Sequence, residues 1–428
     1  MRKILVRGPA LSRSGYGEHT RFILRSLKTR EDIYDIHLIN TNWGKCGWIY
    51  EDNAERRWLD SIILKTTLYI QNPSPSFDVS LQVTIPNEWE KLTPLNIGVT
   101  AGIETTKVSP EWVEKSQIVD NIITISEHSK NIYESTAYQA KDQKTGNTIE
   151  NFKCQTPIEV VHYPVRKYEP VDIKLDFDTD FNFLAVAQWG PRKNLENTIK
   201  WFIEEFIDQE IGLIVKTFIV NNSVIDRQHS EERIKALLNE YPQRKCKIYL
   251  MHGDLTDEEM TALYQHPKVK ALVTLTHGEG FGLPIFEAAY NALPVLAPDW
   301  SGHVDFLFKP AENKQGKIRN RPHFAKVDYN IKPIPKEVVW DGVLIKDSMW
   351  CYPKQGSYKM RLREIYKEYG RFKKQATTLQ EWVNENFEES KQYKKIVDIV
   401  NLVIGEDAAA ATEEIDVLFD KLMGEDKK

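Results

Sequence analysis

Two successive α/β halves, each built on its own parallel sheet, are what the 428-residue sequence predicts. Three observations point there. The chain opens with an apolar run, a glycine-containing loop, a helical pattern and a second apolar run, which is the order of a βαβ unit. After a polar stretch at 166–180 the same alternation starts afresh. At about 150 residues per domain, the length allows two or three domains.

In the first half, residues 3–6 read as a strand stopped by Arg7-Gly8-Pro9. Gly15, Tyr16 and Gly17 follow in a loop, and Phe22, Ile23, Leu24 and Leu27 mark a helix behind them. Residues 36–39, 79–83, 96–99, 121–125 and 158–161 are the further strands. Ser109-Pro110 pairs an N-cap with a first-turn proline. Ser126, ahead of Glu127, His128 and Ser129, reads mainly as another N-cap.

In the second half, strands are expected at 181–186, 213–220, 246–251, 269–275 and 293–296. Helices are expected at 195–207, around 231–238 and at 284–291. Thr256-Asp257-Glu258-Glu259 fits a capping box that opens one more helix. Beyond Pro298 the pattern weakens: 309–326 is basic and turn-rich, and 330–347 carries prolines without periodicity. Helical patterns resume at 360–369, 378–387 and 393–403. A last amphipathic stretch, 408–423, puts Ile415, Leu418, Phe419 and Leu422 on one side. The expected division is 1–165, 166–365 and 366–428, with the last section helical and partly crossing back to the first.

Composition sets outer limits. Hydrophobic residues make up 41% of the chain, enough for sizeable cores and too much for a disordered polymer. The 57 Lys and Arg against 62 Asp and Glu give a net charge of −5, which argues against a chain that coats nucleic acid or anionic lipid. Cys46, Cys154, Cys246 and Cys351 are too scattered for a metal-ligand or disulfide framework. No apolar run approaches the roughly 20 residues of a membrane span, and the opening MRKILVRGP turns polar too soon for a signal peptide. These features fit a reducing, cytoplasmic compartment.

The chemistry concentrates in Thr276-His277-Gly278-Glu279-Gly280-Phe281-Gly282-Leu283-Pro284-Ile285-Phe286-Glu287. This segment follows a strand and opens a helix, the place where open α/β sheets bind ligands. Its glycines let backbone N–H groups approach a ligand, and the helix start adds free donors and a positive dipole end, which together suit a diphosphate. Glu279 on the loop and Glu287 one turn into the helix would meet different hydroxyls of one extended ligand.

With its continuation AAYNALPVLAP, this segment resembles the signature of family 4 glycosyltransferases, whose GT-B fold sets two Rossmann-like domains around a cleft. The resemblance implies that Glu279 contacts the donor sugar and Glu287 the nucleotide ribose. The backbone of Gly280, Phe281, Gly282 and Leu283 would then border the sugar and diphosphate. A second match is Val186 to Asn194, where the family's Gly-Arg is replaced by Ala187-Gln188 while Lys193 keeps the expected lysine. Lys193, with Arg192 as candidate substitute for the absent arginine, would stabilise the diphosphate leaving group. Glu279, Lys193 and Arg192 are therefore the candidate catalytic residues. Gly15, Tyr16 and Gly17 resemble the family's glycine loop facing the donor. Glu104 stands where many relatives have a histidine, and His303 is a further candidate beside the cleft.

The resemblance implies a retaining transfer from a nucleoside-diphosphate sugar to an acceptor hydroxyl, with no obligatory metal and no cofactor beyond the donor. Asp176, Asp178 and Asp180 mimic a metal motif but sit in the polar linker. A weaker resemblance, to glycosyltransferases of tailed phages, leaves two acceptors open. One is a hydroxymethylated pyrimidine in DNA, with 309–326 on the phosphates; the other is a glycan or lipid-linked sugar. An epimerase or hydrolase on the same fold and a non-catalytic sugar-nucleotide-binding protein are the alternatives.

Overall fold

Strands buried on both faces need helices on both sides, and a βαβ crossover supplies them. The computed structural model, which describes residues 1–141, 146–313 and 315–405, builds this arrangement twice. The first half runs β1 (Arg2–Gly8), α1 (Gly15–Lys28), β2 (Tyr34–Asn40), α2 (Ala54–Tyr69), β3 (Val79–Val83) and β4 (Leu95–Thr100). It continues with α3 (Pro110–Ser116), β5 (Asn121–Thr124), α4 (Glu127–Ser135), the hairpin β6 (Ala137–Lys141) and β7 (Thr148–Lys153), and β8 (Ile158–Val160). Its six-stranded sheet has the order β2-β1-β3-β4-β5-β8 and is parallel throughout.

The second half runs β9 (Asn182–Gln188), α5 (Leu195–Glu205), β10 (Gly212–Phe218), α6 (Val224–Asn239), β11 (Lys247–Met251) and α7 (Asp257–Gln265). Then come β12 (Val269–Val273), α8 (Leu283–Tyr290), β13 (Val295–Pro298), the short α9 (Val304–Leu307), the hairpin β14 (Phe308–Glu312) and β15 (Ile318–Pro322), and β16 (Ala325–Val327). A second parallel six-stranded sheet results, in the order β11-β10-β9-β12-β13-β16. The chain ends its described part with β17 (Tyr329–Pro333), β18 (Met349–Pro353), α10 (Gln355–Lys367), α11 (Tyr369–Asn386) and α12 (Glu389–Ile404).

The predicted caps form. The Ser109 hydroxyl accepts the Trp112 N–H at the start of α3, and Ser126 accepts from Ser129 at the start of α4. Thr256 and Glu259 complete a reciprocal capping box on α7.

Several expectations need correction. The strand expected at 293–296 is Val295–Pro298, because Ala292 takes a left-handed turn (φ 54°) that delays it. α6 begins at Val224, well before 231, because its first turns leave Val224 and Ile225 exposed and show no apolar stripe. Within the 366–428 section the element that lies against the first half is α12: it packs on α1, with Ile396 and Val400 joining Phe22 and Leu27 in one core. α10 and α11 instead pack on α5 and α8 of the second half. The stretch 408–423 lies outside the described residues. No helix among the described residues is long and apolar enough to cross a membrane.

Candidate active site in the cleft between the two sheets

Loops after the carboxyl ends of the strands in both sheets line one cleft of about 1130 Å³. From the first half come Gly15 and Tyr16 after β1, Trp43 and Trp48 after β2, and Ala101–Glu104 after β4. The second half contributes Gln188 at the end of β9, Arg192 and Lys193 after it, Lys216 within β10, and the 279–284 segment after β12.

Two loops of the second half are sewn together before any side chain enters the cleft. The His277 N–H donates to Arg192 O at 2.8 Å, and Asn194 Nδ2 donates to Leu275 O at 3.2 Å. Asn194 takes left-handed φ 52° to turn from the 191–193 helical turn into α5. This brings Lys193 Nζ to 2.6 Å from Glu279 Oε1 and Arg192 Nη1 to 3.1 Å from Glu279 Oε2. Burial works to raise the Glu279 carboxyl, but Lys193 and Arg192 outweigh it and hold it at about 2. Burial likewise pulls the Lys193 ammonium below its ordinary value, with Glu279 opposing. The Glu279 N–H donates to Ser301 Oγ at 2.9 Å, which fixes the loop from behind.

Arg192 also crosses the cleft, with Nη2 2.9 Å from Glu104 Oε1. Burial raises the Glu104 carboxyl; Arg192 opposes that rise and Glu279 adds to it. The two halves touch here through backbone. A Cβ on Gly280 would stand 2.4 Å from Ala101 O and 2.6 Å from Gly102 Cα, so only glycine allows the approach. Gly282, at φ +90°, opens α8 with Pro284 in its first turn. Pro284 has no N–H, and the Ile285 and Phe286 N–H groups donate to Gly282 O at 2.9 and 3.0 Å, which leaves the Leu283 N–H as the first-turn donor without an acceptor in the helix.

Deeper along α8, Glu287 accepts a hydrogen bond from Tyr264 Oη at 2.7 Å. Burial pushes its carboxyl up to about 7, with Tyr264 opposing and the charges of Asp257 and Glu18 adding to the rise.

Of the residues singled out in the sequence, Gly15, Tyr16, Arg192, Lys193, Glu279, Gly280, Phe281, Gly282, Leu283 and Glu287 all line the cleft. Phe281 does so by its backbone, since its ring packs among Tyr163, Phe286 and Phe306. Gly17 is different. With Gly15 and Tyr16 it forms the first turn of α1, not the expected loop; it does not line the cleft, a Cβ on it would stand 2.0 Å from Ser12 O, and its N–H donates to Ser14 Oγ. Gln188 borders the cleft but donates to Ile219 O at 2.9 Å, and Arg192 enters the cleft. His303 is fully buried with Nε2 2.7 Å from Pro298 O, and packs behind Gly282 without lining the cleft. Ser126 is buried as a cap, and His128 packs edge-on against Trp300. Within the 309–326 stretch β14 and β15 form an exposed hairpin, Phe324 and Ala325 are buried where β16 joins the second sheet, and none of its described residues lines the cleft. Among the described residues, no group of three or more His, Cys, Asp or Glu side chains is arranged to hold a metal.

Sequence reasoning missed Lys216, whose ammonium donates to Gly253 O beside the cleft, and the rings of Trp43, Trp48, Tyr50 and Trp340. Lys216 lies within a strand that reads as ordinary core, and the rings sit in segments without periodicity.

The comparisons with known proteins bear on the fold first. No family model matches the chain. Sucrose-phosphate synthase from Thermosynechococcus elongatus superposes with a TM-score of 0.60 at 12% identity, over 95% of this chain and 100% of that one. HepE of Anabaena, solved in complex with UDP-glucose, superposes with a TM-score of 0.53 at 11% identity, over 94% and 100%. The fold is GT-B. In sequence, 118 residues, or 28% of this chain, are 30% identical to the serotype-specific mannosyltransferase WbdA of Escherichia coli. That match covers 13% of WbdA, so the chain is similar to a small part of this relative.

Proposed function

We propose that the protein is a retaining glycosyltransferase of the family 4 type, moving a sugar from a nucleoside-diphosphate donor to a hydroxyl of a glycan acceptor. The observation that carries this reading is the joint placement of Lys193, Arg192, Glu279 and the α8 N-terminus at one point of the cleft, with Glu287 one helical turn deeper. A sugar nucleotide presents a diphosphate between two hydroxyl-bearing rings, and this row of groups meets it in that order. The likeness to a segment of WbdA and the UDP-glucose bound by HepE agree with a sugar-nucleotide donor.

In this mechanism the bond between the anomeric carbon and the diphosphate oxygen breaks while negative charge grows on the leaving group. Lys193, Arg192 and the Leu283 N–H at the start of α8 stabilise that charge from fixed positions. Arg192 takes the place of the family's arginine, absent at Gln188. Glu279 orients the sugar through its hydroxyls, and Glu287 accepts from the ribose. The leaving phosphate takes the acceptor proton on the same face, so the anomeric configuration is retained and no side-chain base is required. A cytoplasmic reaction agrees with a sugar-nucleotide donor.

A glycan is favoured over a pyrimidine in DNA because the basic stretch at 309–326 does not line the cleft. Mass spectrometry of glycan mixtures incubated with UDP-, GDP- and ADP-sugars tests this, with NMR of the product's anomeric centre. A product with the donor's configuration is expected. Inversion would remove the retaining mechanism, donor conversion without any acceptor product would favour the epimerase or hydrolase, and donor binding without turnover would favour a non-catalytic protein.

A further inference from the structure

The cleft extends past the donor groups to a wall of aromatic rings that the transfer chemistry leaves unused. Trp43, Trp48 and Tyr50 come from the segment between β2 and α2, and Trp340 from the turn between β17 and β18 of the other half. Trp48, Trp340 and Tyr50 are 44%, 58% and 77% exposed. One exposed ring is ordinary on a protein surface, but four around one cleft, drawn from both halves, form a patch.

The wall is held in place before anything binds. Trp43 stacks on Tyr16, ring centroids 4.2 Å apart at 32°, and the Tyr16 hydroxyl is hydrogen-bonded to Thr100 Oγ1 at 2.9 Å. Backbone hydrogen bonds from Arg13 N to Gly47 O (2.8 Å) and from Ile49 N to Leu11 O (2.9 Å) fix Trp48 between them. The Trp340 N–H donates to Leu344 O at 3.0 Å, and Ser109 Oγ of the first half donates to Gly342 O at 2.8 Å, which docks that turn on α3. Beside Trp43 and Trp48 opens a second cavity of about 270 Å³, lined by Ser12, Asn40, Thr41 and Asn42. Thr41 Oγ1 is buried there without a hydrogen-bond partner.

We propose that the aromatic wall and this small polar pocket are consecutive subsites for a neutral oligosaccharide acceptor of at least two sugar units. The inference rests on the transfer reading above and adds the substrate class. A sugar ring has an apolar C–H face that packs on an indole and an edge of hydroxyls that needs both donors and acceptors. Amide and hydroxyl side chains supply both without charge. A polyanion fits poorly. Arg13 is paired with Glu51 and with Asp254 (3.4 Å), and Lys107 with Asp347 (2.6 Å), which among the described residues leaves Lys45, exposed between Trp43 and Trp48, as a single cation without a salt bridge along the wall. A nucleic acid stacking its bases on the wall would need a row of free cations for its backbone.

A glycan array of neutral oligosaccharides from one to six sugars, with hydroxymethylcytosine duplex DNA as comparison, tests this. The folded protein is expected to retain at least one neutral oligosaccharide, with little retention of the matching monosaccharide. Trp48→Ala and Trp340→Ala should each weaken retention ten-fold or more and Trp48→Phe should recover most of it, while UDP and GDP binding by calorimetry stays within two-fold. No retained neutral glycan, retention indifferent to both variants, or Trp48-dependent retention of the DNA would each overturn the proposal. Trp48-dependent glycan binding by a chain that binds no nucleoside diphosphate would support the subsites and sink the donor reading instead.

Discussion

Lys193 and Arg192 both reach Glu279, so a single carboxylate holds the two cations beside the N-terminus of α8. Removing one donor of charge stabilisation from such a site costs roughly 10²–10³-fold in turnover. Lys193→Ala is accordingly expected to lower sugar transfer by about that factor while leaving the fold intact by circular dichroism. Glu287 gives a pH signature. Its carboxyl sits at about 7, above the ordinary value of 4.5, so its protonated form favours folding. Stability from this group is full below 4.5 and is lost as pH rises through 7. Donor affinity should move the other way, because only the ionised carboxylate accepts two ribose hydroxyls. Glu287→Gln should flatten both trends between pH 5 and 8, measured by thermal unfolding and by donor titration. A pH dependence unchanged in the variant would assign the window to another group.

At the scale of elements, the loop Ala101–Gly102 after β4 presses on Gly280 of the loop before α8, and this contact sets the width of the cleft. Gly280→Ala places a methyl group where backbone atoms stand at 2.4 and 2.6 Å, so the halves must part. Transfer should fall by more than ten-fold, measured as product formed per folded protein. Unchanged transfer would show that the approach is not needed. That the 276–282 loop is a strand-to-helix turn at the cleft was legible in the sequence because its glycines and the following proline each have a local physical use. α2 was not. It buries only Leu59, Ile62 and Thr66 and leaves Leu64 and Leu68 in solvent, which blurs the apolar stripe. The β6–β7 and β14–β15 hairpins were equally silent, since none of their strand residues is buried and so no apolar run marks them.

For the whole molecule, α12 ties the end of the described chain to its beginning. It packs on α1, Val165 N donates to Phe387 O at 2.7 Å, and Tyr34 is hydrogen-bonded to Asn401. Ile396 is fully buried in that contact, and Ile396→Ala should cost about 2–5 kcal/mol, read as a lower denaturation midpoint. The restart of the α/β pattern at residue 181 made the two sheets readable, because buried parallel strands are nearly continuous apolar runs. Which strand ends face each other was not readable, and neither were Arg192 bridging to Glu104 nor the aromatic wall, since these depend on how one half lies on the other. The claim on which the rest depends is that this cleft grips a nucleoside diphosphate through Lys193. Isothermal calorimetry with UDP, GDP and ADP tests it directly. At least one should bind the native chain, and Lys193→Ala should weaken that binding ten-fold or more; a native chain that binds none of them, or a variant that binds as tightly, would contradict the account.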